Sequence, residues 1–371
     1  MQRVLIVGGA GFIGSHLAEL LLRHGYGVRV IDNLAPQVHG KSCKSPPYLP
    51  ADVEFLCGDV RDPIAIRQAV QGADAVVHLA AAVGVGQSMY RIADYVATNE
   101  LGTAVLLEAL LTHPVRRLVV ASSMSIYGEG LTRAPDGRLV EPAQRSVRQL
   151  KRAQWEVCDA QGDVLEPVPT PETKQPSLTS VYALNKHTQE RLCLIFGQAY
   201  DVPTVALRFF NVYGTRQALS NPYTGVLAIF AARLLNGRPP MIFEDGRQRR
   251  DFVHVRDVAR ACLAALEASA AGGRAINIGS GQSRTVAEVA RALAMAVGRG
   301  DLKPQITGRY RAGDIRHCFA DLTLAREVLG FEPVESFDAG LAELAEWLAG
   351  EVALDRVDQA TDELARRGLV A

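Results

Sequence analysis

No two of the six cysteines, Cys43, Cys57, Cys158, Cys193, Cys262 and Cys318, form a C-x-x-C pair. That excludes a zinc-ribbon or dithiol redox motif, and no metal site is expected. There is no excess of either charge: Lys+Arg and Asp+Glu number 40 each. Nucleic acid and anionic membrane therefore lack an electrostatic case as partners, and any anion recognition must be local. No apolar run approaches the ~18 residues of a membrane span. The chain opens on Val4-Leu5-Ile6-Val7 with no basic segment before it, so no signal peptide is expected. No internal repeat is present. These absences point to a cytoplasmic protein in a reducing compartment.

What is abundant is core material. Hydrophobic residues make up 48% of 371, enough for two domains or one large α/β domain with a smaller lobe. Short β-branched runs alternate with helical periodicity through the first third: strands at 4–7, 28–31, 53–56, 75–79 and 117–121, helices at 13–23, 64–70 and 99–111. Strands without polar alternation, separated by helices, imply a parallel sheet covered on both faces. Two stretches break the order, 35–50 and the longer, proline-rich 129–176. The second is either a lid or small subdomain near a site, or a tolerated surface excursion. After a strand at 205–209 the pattern becomes loop-rich to about 345, and an amphipathic helix is expected over 352–367. The expected division is 1–204, 205–345 and a helical tail, 346–371.

Gly8-Gly9-Ala10-Gly11-Phe12-Ile13-Gly14 joins the first strand to the first helix. Small residues there let the backbone approach a pyrophosphate, and the helix N-terminus supplies N–H donors. Asp32 ends the second strand, 18 residues after Gly14, and is followed by Asn33 rather than Arg. A carboxylate there accepts both ribose hydroxyls and repels a 2′-phosphate, which favours NAD over NADP. Asp59-Val60, after the third strand, could meet the adenine edge.

Tyr182-Ala183-Leu184-Asn185-Lys186 opens a helix, with the phenol and ammonium on one face. A lysine so placed is expected to lower the phenol's pKa and make it a general base. Ser122-Ser123-Met124-Ser125 follows the strand at 117–121, at the end where open α/β sheets present ligands. A hydroxyl there can bind the reacting oxygen beside Tyr182.

Together these motifs resemble the extended short-chain dehydrogenase/reductase family, in the branch acting on sugar nucleotides, over roughly residues 1–345. His78-Leu79-Ala80-Ala81, Asn99 with Gly102-Thr103, 208–214, 250–255 and Arg311-Ala312-Gly313-Asp314 extend the match. The resemblance implies a Rossmann-type doubly wound parallel sheet with a smaller C-terminal α/β substrate lobe. It implies Ser123, Tyr182 and Lys186 as catalytic residues. Gly8, Gly11, Phe12, Ile13, Gly14, Asp32, Asn33, Asp59, Val60, Leu79, Ala80, Ala81, Asn99, Ser122, Tyr182 and Lys186 would touch NAD. Ser88, Ser123, Ser125, Asn211, Arg250, Arg311 and Asp314 would touch a nucleotide-diphosphate sugar. It also implies a homodimer through a four-helix bundle built from 99–111 and 179–196.

Within such a family, 4,6-dehydratases place an Asp-Glu pair after the active hydroxyl residue, and decarboxylases a Glu. Here the stretch is Met124-Ser125. Without an acid, elimination is disfavoured and reversible C4 oxidation, hence 4-epimerisation, is expected. The 32–40 segment and the long insert resemble the dTDP-L-rhamnose 4-epimerase branch, although the insert holds a single cysteine, Cys158. UDP-glucose or UDP-N-acetylglucosamine 4-epimerisation, a net oxidoreductase or dehydratase, and a non-catalytic NAD-binding regulator remain as alternatives.

Overall fold

The computed structural model describes residues 2–40, 45–311 and 313–371. Cys43 and Ala312 lie outside the described residues. Seven parallel strands form the central sheet: β1 (Arg3–Val7), β2 (Gly27–Asp32), β3 (Glu54–Cys57), β4 (Ala75–His78), β5 (Arg117–Ser123), β6 (Thr204–Phe209) and β7 (Arg274–Ile278). Their order is β7-β6-β5-β4-β1-β2-β3. β1 lies between β2 and β4, so the chain changes direction of winding beside β1 and leaves a crevice at the strand C-termini. All four residues of β4, and every residue of β6, are buried. That explains the absence of polar alternation in the sequence.

Helices α1 (Phe12–Arg23), α2 (Gly102–Thr112), α3 (Val181–Ala199) and α4 (Val255–Glu267) flank the sheet. One core holds Val4, Ile6, Leu17, Leu21, Leu207 and Val258, and the other Leu5, Val7, Leu106, Val120 and Phe196. β6 and β7 come from beyond residue 204, so the sheet does not stop at the expected boundary. The two units interleave along the chain because buried parallel strands need neighbours in space, not in sequence. Asn99 precedes α2 within a wide turn, Ala97–Leu101, rather than starting a regular helix.

The smaller lobe pairs Asn211–Tyr213 and Arg249–His254 in parallel, and adds Ser283–Thr285 and His317–Cys318. Its core includes Leu227, Phe230, Phe252, Leu293 and Leu344. The insert is ordered: Thr132–Arg133, Leu139–Val140 and Glu166–Pro167 make a small antiparallel sheet over Ala134, Val157 and Leu165. It is bound to the smaller lobe by buried charges. Arg145 from the insert bonds Glu129 at 3.2 Å and Glu244 at 2.9 Å. Arg316, fully buried, bonds Glu244 at 2.9 Å, Asp245 at 2.6 Å and Glu156 at 2.6 Å. The segment is thus an ordered unit tied to the smaller lobe. The tail forms a shorter helix than expected, α5 (Val357–Arg366).

Candidate active site

β1 ends in a turn that glycine alone fits. Gly8 has φ +82°, and a Cβ there would stand 2.6 Å from the Ala80 nitrogen. At Gly14 a Cβ would stand 2.5 Å from Cα of Gly9. Gly11 caps α1 with no side-chain hydrogen bond, so no side chain occupies the N–H groups at Phe12, Ile13 and Gly14. The Asp32 carboxylate accepts from Ala10 N at 3.1 Å and Leu34 N at 2.9 Å, which ties the turn to the end of β2.

Asn33 donates to Asp59 at 2.9 Å, and Arg61 pairs with the same carboxylate at 2.7 Å. The Arg61 hydrogen bond holds Asp59 well below the usual carboxylate range. Val60 is buried against Gly102, where a Cβ would stand 2.5 Å from it. Leu79, Ala80 and Ala81 follow β4 across the crevice. Asn99 fixes the next residue, bonding Ala82 N at 2.7 Å and Ala82 O at 3.1 Å. A cradle that a Cβ would fill, an uncapped helix N-terminus and a carboxylate ending β2 fit a dinucleotide with a free adenosine ribose.

β5 and α3 assemble the second group. Ser123 ends β5, and Ser180 caps α3 by accepting from Ala183 N at 3.1 Å. Ser125 Oγ donates to Ser123 Oγ at 2.9 Å. The Tyr182 phenol faces Ser123, and the residue as a whole is half-buried. Burial raises that phenol above its ordinary 10, and the Ser123 bond pulls it down only in part. The expected depression by Lys186 is not what the structure gives. The ammonium donates to Gln189 Oε1, one turn further along α3, and burial lowers Lys186 itself to about 8. Gln189 in turn reaches the His78 ring at 2.9 Å and Thr103 Oγ1 at 3.0 Å. Burial lowers His78 to about 3, so the ring is neutral. Sequence reasoning missed Gln189, although its i+3 spacing from Lys186 was visible.

Two of the expected contact residues are hydrogen-bonded within the fold. Ser88 is fully buried, donating to Val85 O at 2.7 Å and accepting from Tyr182 N at 3.0 Å. It positions the start of α3. The Ser122 hydroxyl donates to Glu190 at 2.6 Å, beside the buried Glu190–Arg208 pair at 2.7 Å. Strand alternation sends Ser122 and Ser123 to opposite faces, which spends the first on the fold.

The remaining polar residues lie in the smaller lobe, where Arg250 meets residues 314–316. Arg250 is held by the carbonyls of Arg249 at 3.0 Å and Arg316 at 2.9 Å, and also by Ile315. Asp314 lies 3.9 Å from it. Arg311 stacks over Phe243 at 4.7 Å with its Nε buried and unpartnered, and Asn211 Oδ1 is likewise unpartnered. Orphaned buried atoms of this kind mark where ligand groups would complete the hydrogen bonding. Among the described residues, no group of three or more His, Cys, Asp or Glu is placed to hold a metal.

Residues 4–149 and 158–279 match the model of the NAD dependent epimerase/dehydratase family. The chain is 36% identical over 359 residues to the dTDP-L-rhamnose 4-epimerase of Burkholderia thailandensis, covering 96% of each. It is similar in structure to Thermotoga maritima UDP-glucose 4-epimerase with UDP-glucose: TM-score 0.76, 32% identity, 94% of this chain and 99% of that one. Thermus thermophilus UDP-glucose 4-epimerase complexed with NAD gives a TM-score of 0.73 at 31% identity, covering 95% and 100%.

Proposed function

From the premise that this chain belongs to the NAD dependent epimerase/dehydratase family, we propose that it is a nucleotide-sugar 4-epimerase. The observation that carries this is the group Ser123, Ser125 and Tyr182, with a hydroxyl where an eliminating enzyme needs an acid. When bound at the Gly8–Gly14 turn, NAD supplies a hydride acceptor and donor. Tyr182 removes the proton of the sugar's 4-hydroxyl and later returns it. Ser123, oriented by Ser125, holds the same oxygen. Because burial raises the phenol's pKa, its action as a base needs nearby positive charge, which Lys186 carries below about pH 8. The sugar turns its other face between the two transfers, supported at the diphosphate by Arg250, Arg311 and Asn211, with Asp314 beside them.

The substrate assigned is dTDP-L-rhamnose, interconverted with dTDP-6-deoxy-L-talose, in keeping with the 36% identical relative. The second reading, UDP-glucose, draws on the Thermotoga structure. A panel of UDP-, dTDP- and GDP-sugars followed by NMR should show the C4 epimer of the dTDP-6-deoxysugar, with no NAD added and no NADH accumulating. Net accumulation of NADH would instead indicate an oxidoreductase.

A homodimer is part of the proposal. Leu101, Leu184 and Ile195 are exposed at the expected helical pair, with Val96 just before it, an apolar stripe suited to a second copy. Light scattering should give twice the monomer mass, and Ile195→Asp with Leu184→Asp should give the monomer. Among the described residues, no helix is long and apolar enough to cross a membrane. Among the described residues five cysteines are free, which suits a reducing cytoplasm; cell fractionation would check this.

A further inference from the structure

Tyr182, Lys186 and Gln189 fall on one stripe of α3, and the last two are buried, Gln189 completely. A buried amide must place its oxygen and both hydrogens on protein atoms. The Gln189 nitrogen lies 2.9 Å from His78 Nε2, 3.0 Å from Thr103 Oγ1 and 3.5 Å from Ala80 O. A carbonyl only accepts. The Thr103 hydroxyl already donates to Asn99 O at 2.6 Å, so toward Gln189 it accepts as well. The amide nitrogen is thereby fixed on that side. Its oxygen is left one direction, the Lys186 ammonium, which donates to it.

A fixed acceptor on a buried ammonium has two effects. It favours the charged form, against the burial that lowers Lys186 to about 8. It also takes one of three N–H groups and so orients the other two. The titratable neighbours supply little of the first effect. His78 on β4 is neutral, and burial pushes the Cys193 thiol on α3 up to about 12. Glu190 helps from a distance, but its carboxylate is spent on Arg208 and Ser122. The Tyr182 phenol is itself raised by burial.

We propose that Gln189 is a positioning residue for the reaction: it keeps Lys186 charged and holds it on the stripe of α3 that carries Tyr182. The consequence for the phenol as a base rests on the 4-epimerase reading above. The hydrogen bonding of Lys186 does not.

The test is a pH titration of holoenzyme isotope-labelled at the lysine ε-carbons and read by NMR, with the Lys186 signal identified by its loss in Lys186→Arg. Gln189→Met keeps the volume and loses the acceptor, and should move the Lys186 midpoint about one pH unit toward acid. Gln189→Leu should do the same, and covers the case in which the methionine variant fails to fold. Gln189→Glu puts a carboxylate beside the ammonium and should move the midpoint toward alkali. The fall of kcat/KM with rising pH follows loss of the Lys186 charge, so it should move with the midpoint in each variant. Midpoints that stay put in folded, NAD-loaded variants, or that move the same way in the methionine and glutamate variants, overturn the inference and leave the epimerase reading standing. Midpoints that move as expected in a protein that epimerises no sugar nucleotide uphold the positioning of Lys186 and remove that reading.

Discussion

Tyr182→Phe is expected to lower turnover by about three orders of magnitude while NAD stays bound, since general acid–base groups contribute roughly 10²–10⁴-fold. The substitution removes only the phenol oxygen. The ring keeps its packing, and the Tyr182 N–H keeps its bond to Ser88 Oγ at 3.0 Å, so α3 starts where it did. The glycine turn and Asp32 are not touched. Two measurements are needed together: epimer formation by NMR and NAD content of the purified protein. Turnover within tenfold of wild type would show that Tyr182 is not the base. Loss of NAD alongside activity would show that the variant damages the crevice instead of the chemistry.

Arg316→Met should be among the most destabilising single changes in the molecule. The guanidinium is fully buried and meets Glu244, Asp245 and Glu156. Methionine fills much of the space but leaves Glu244, also buried, short of a counter-charge, and breaking one side of a buried pair costs about 3–5 kcal/mol. At roughly 2–4 °C per kcal/mol for a domain of ~150–250 residues, the apparent melting temperature should fall by about 10 °C. Arg299→Ala is the control. Its partner Asp301 is exposed and the pair spans 3.3 Å, so the change should be small. Calorimetry on the two variants decides it: equal shifts would mean that the buried network does not hold the insert.

What the sequence revealed was local. The glycine turn, Asp32 and the Tyr182/Lys186 spacing each sit within one turn or one helix, so chain order alone shows them. The sheet from β1 to β5 was legible for the same reason, its strands being short, buried runs between periodic helices. Arg145, Glu129, Glu244 and Arg316 were not, because they meet across 16 to 187 residues of chain and no period links them. Ser88 and Ser122 show a different limit. A hydroxyl's partner depends on which face of its strand or turn looks inward, and a run of serines does not announce that. Lys186 shows a third. It lies one turn from Tyr182 on the same helix, but burial and Gln189 decided where its charge went.

Glu129 lies six residues after Ser123, and its carboxylate grips the backbone nitrogens of Arg316 at 2.8 Å and His317 at 3.1 Å. In mechanical terms, the smaller lobe is riveted to the chain just past the strand that ends in Ser123. Swinging the lobes apart on that side would tear those bonds and drag Ser123 with them.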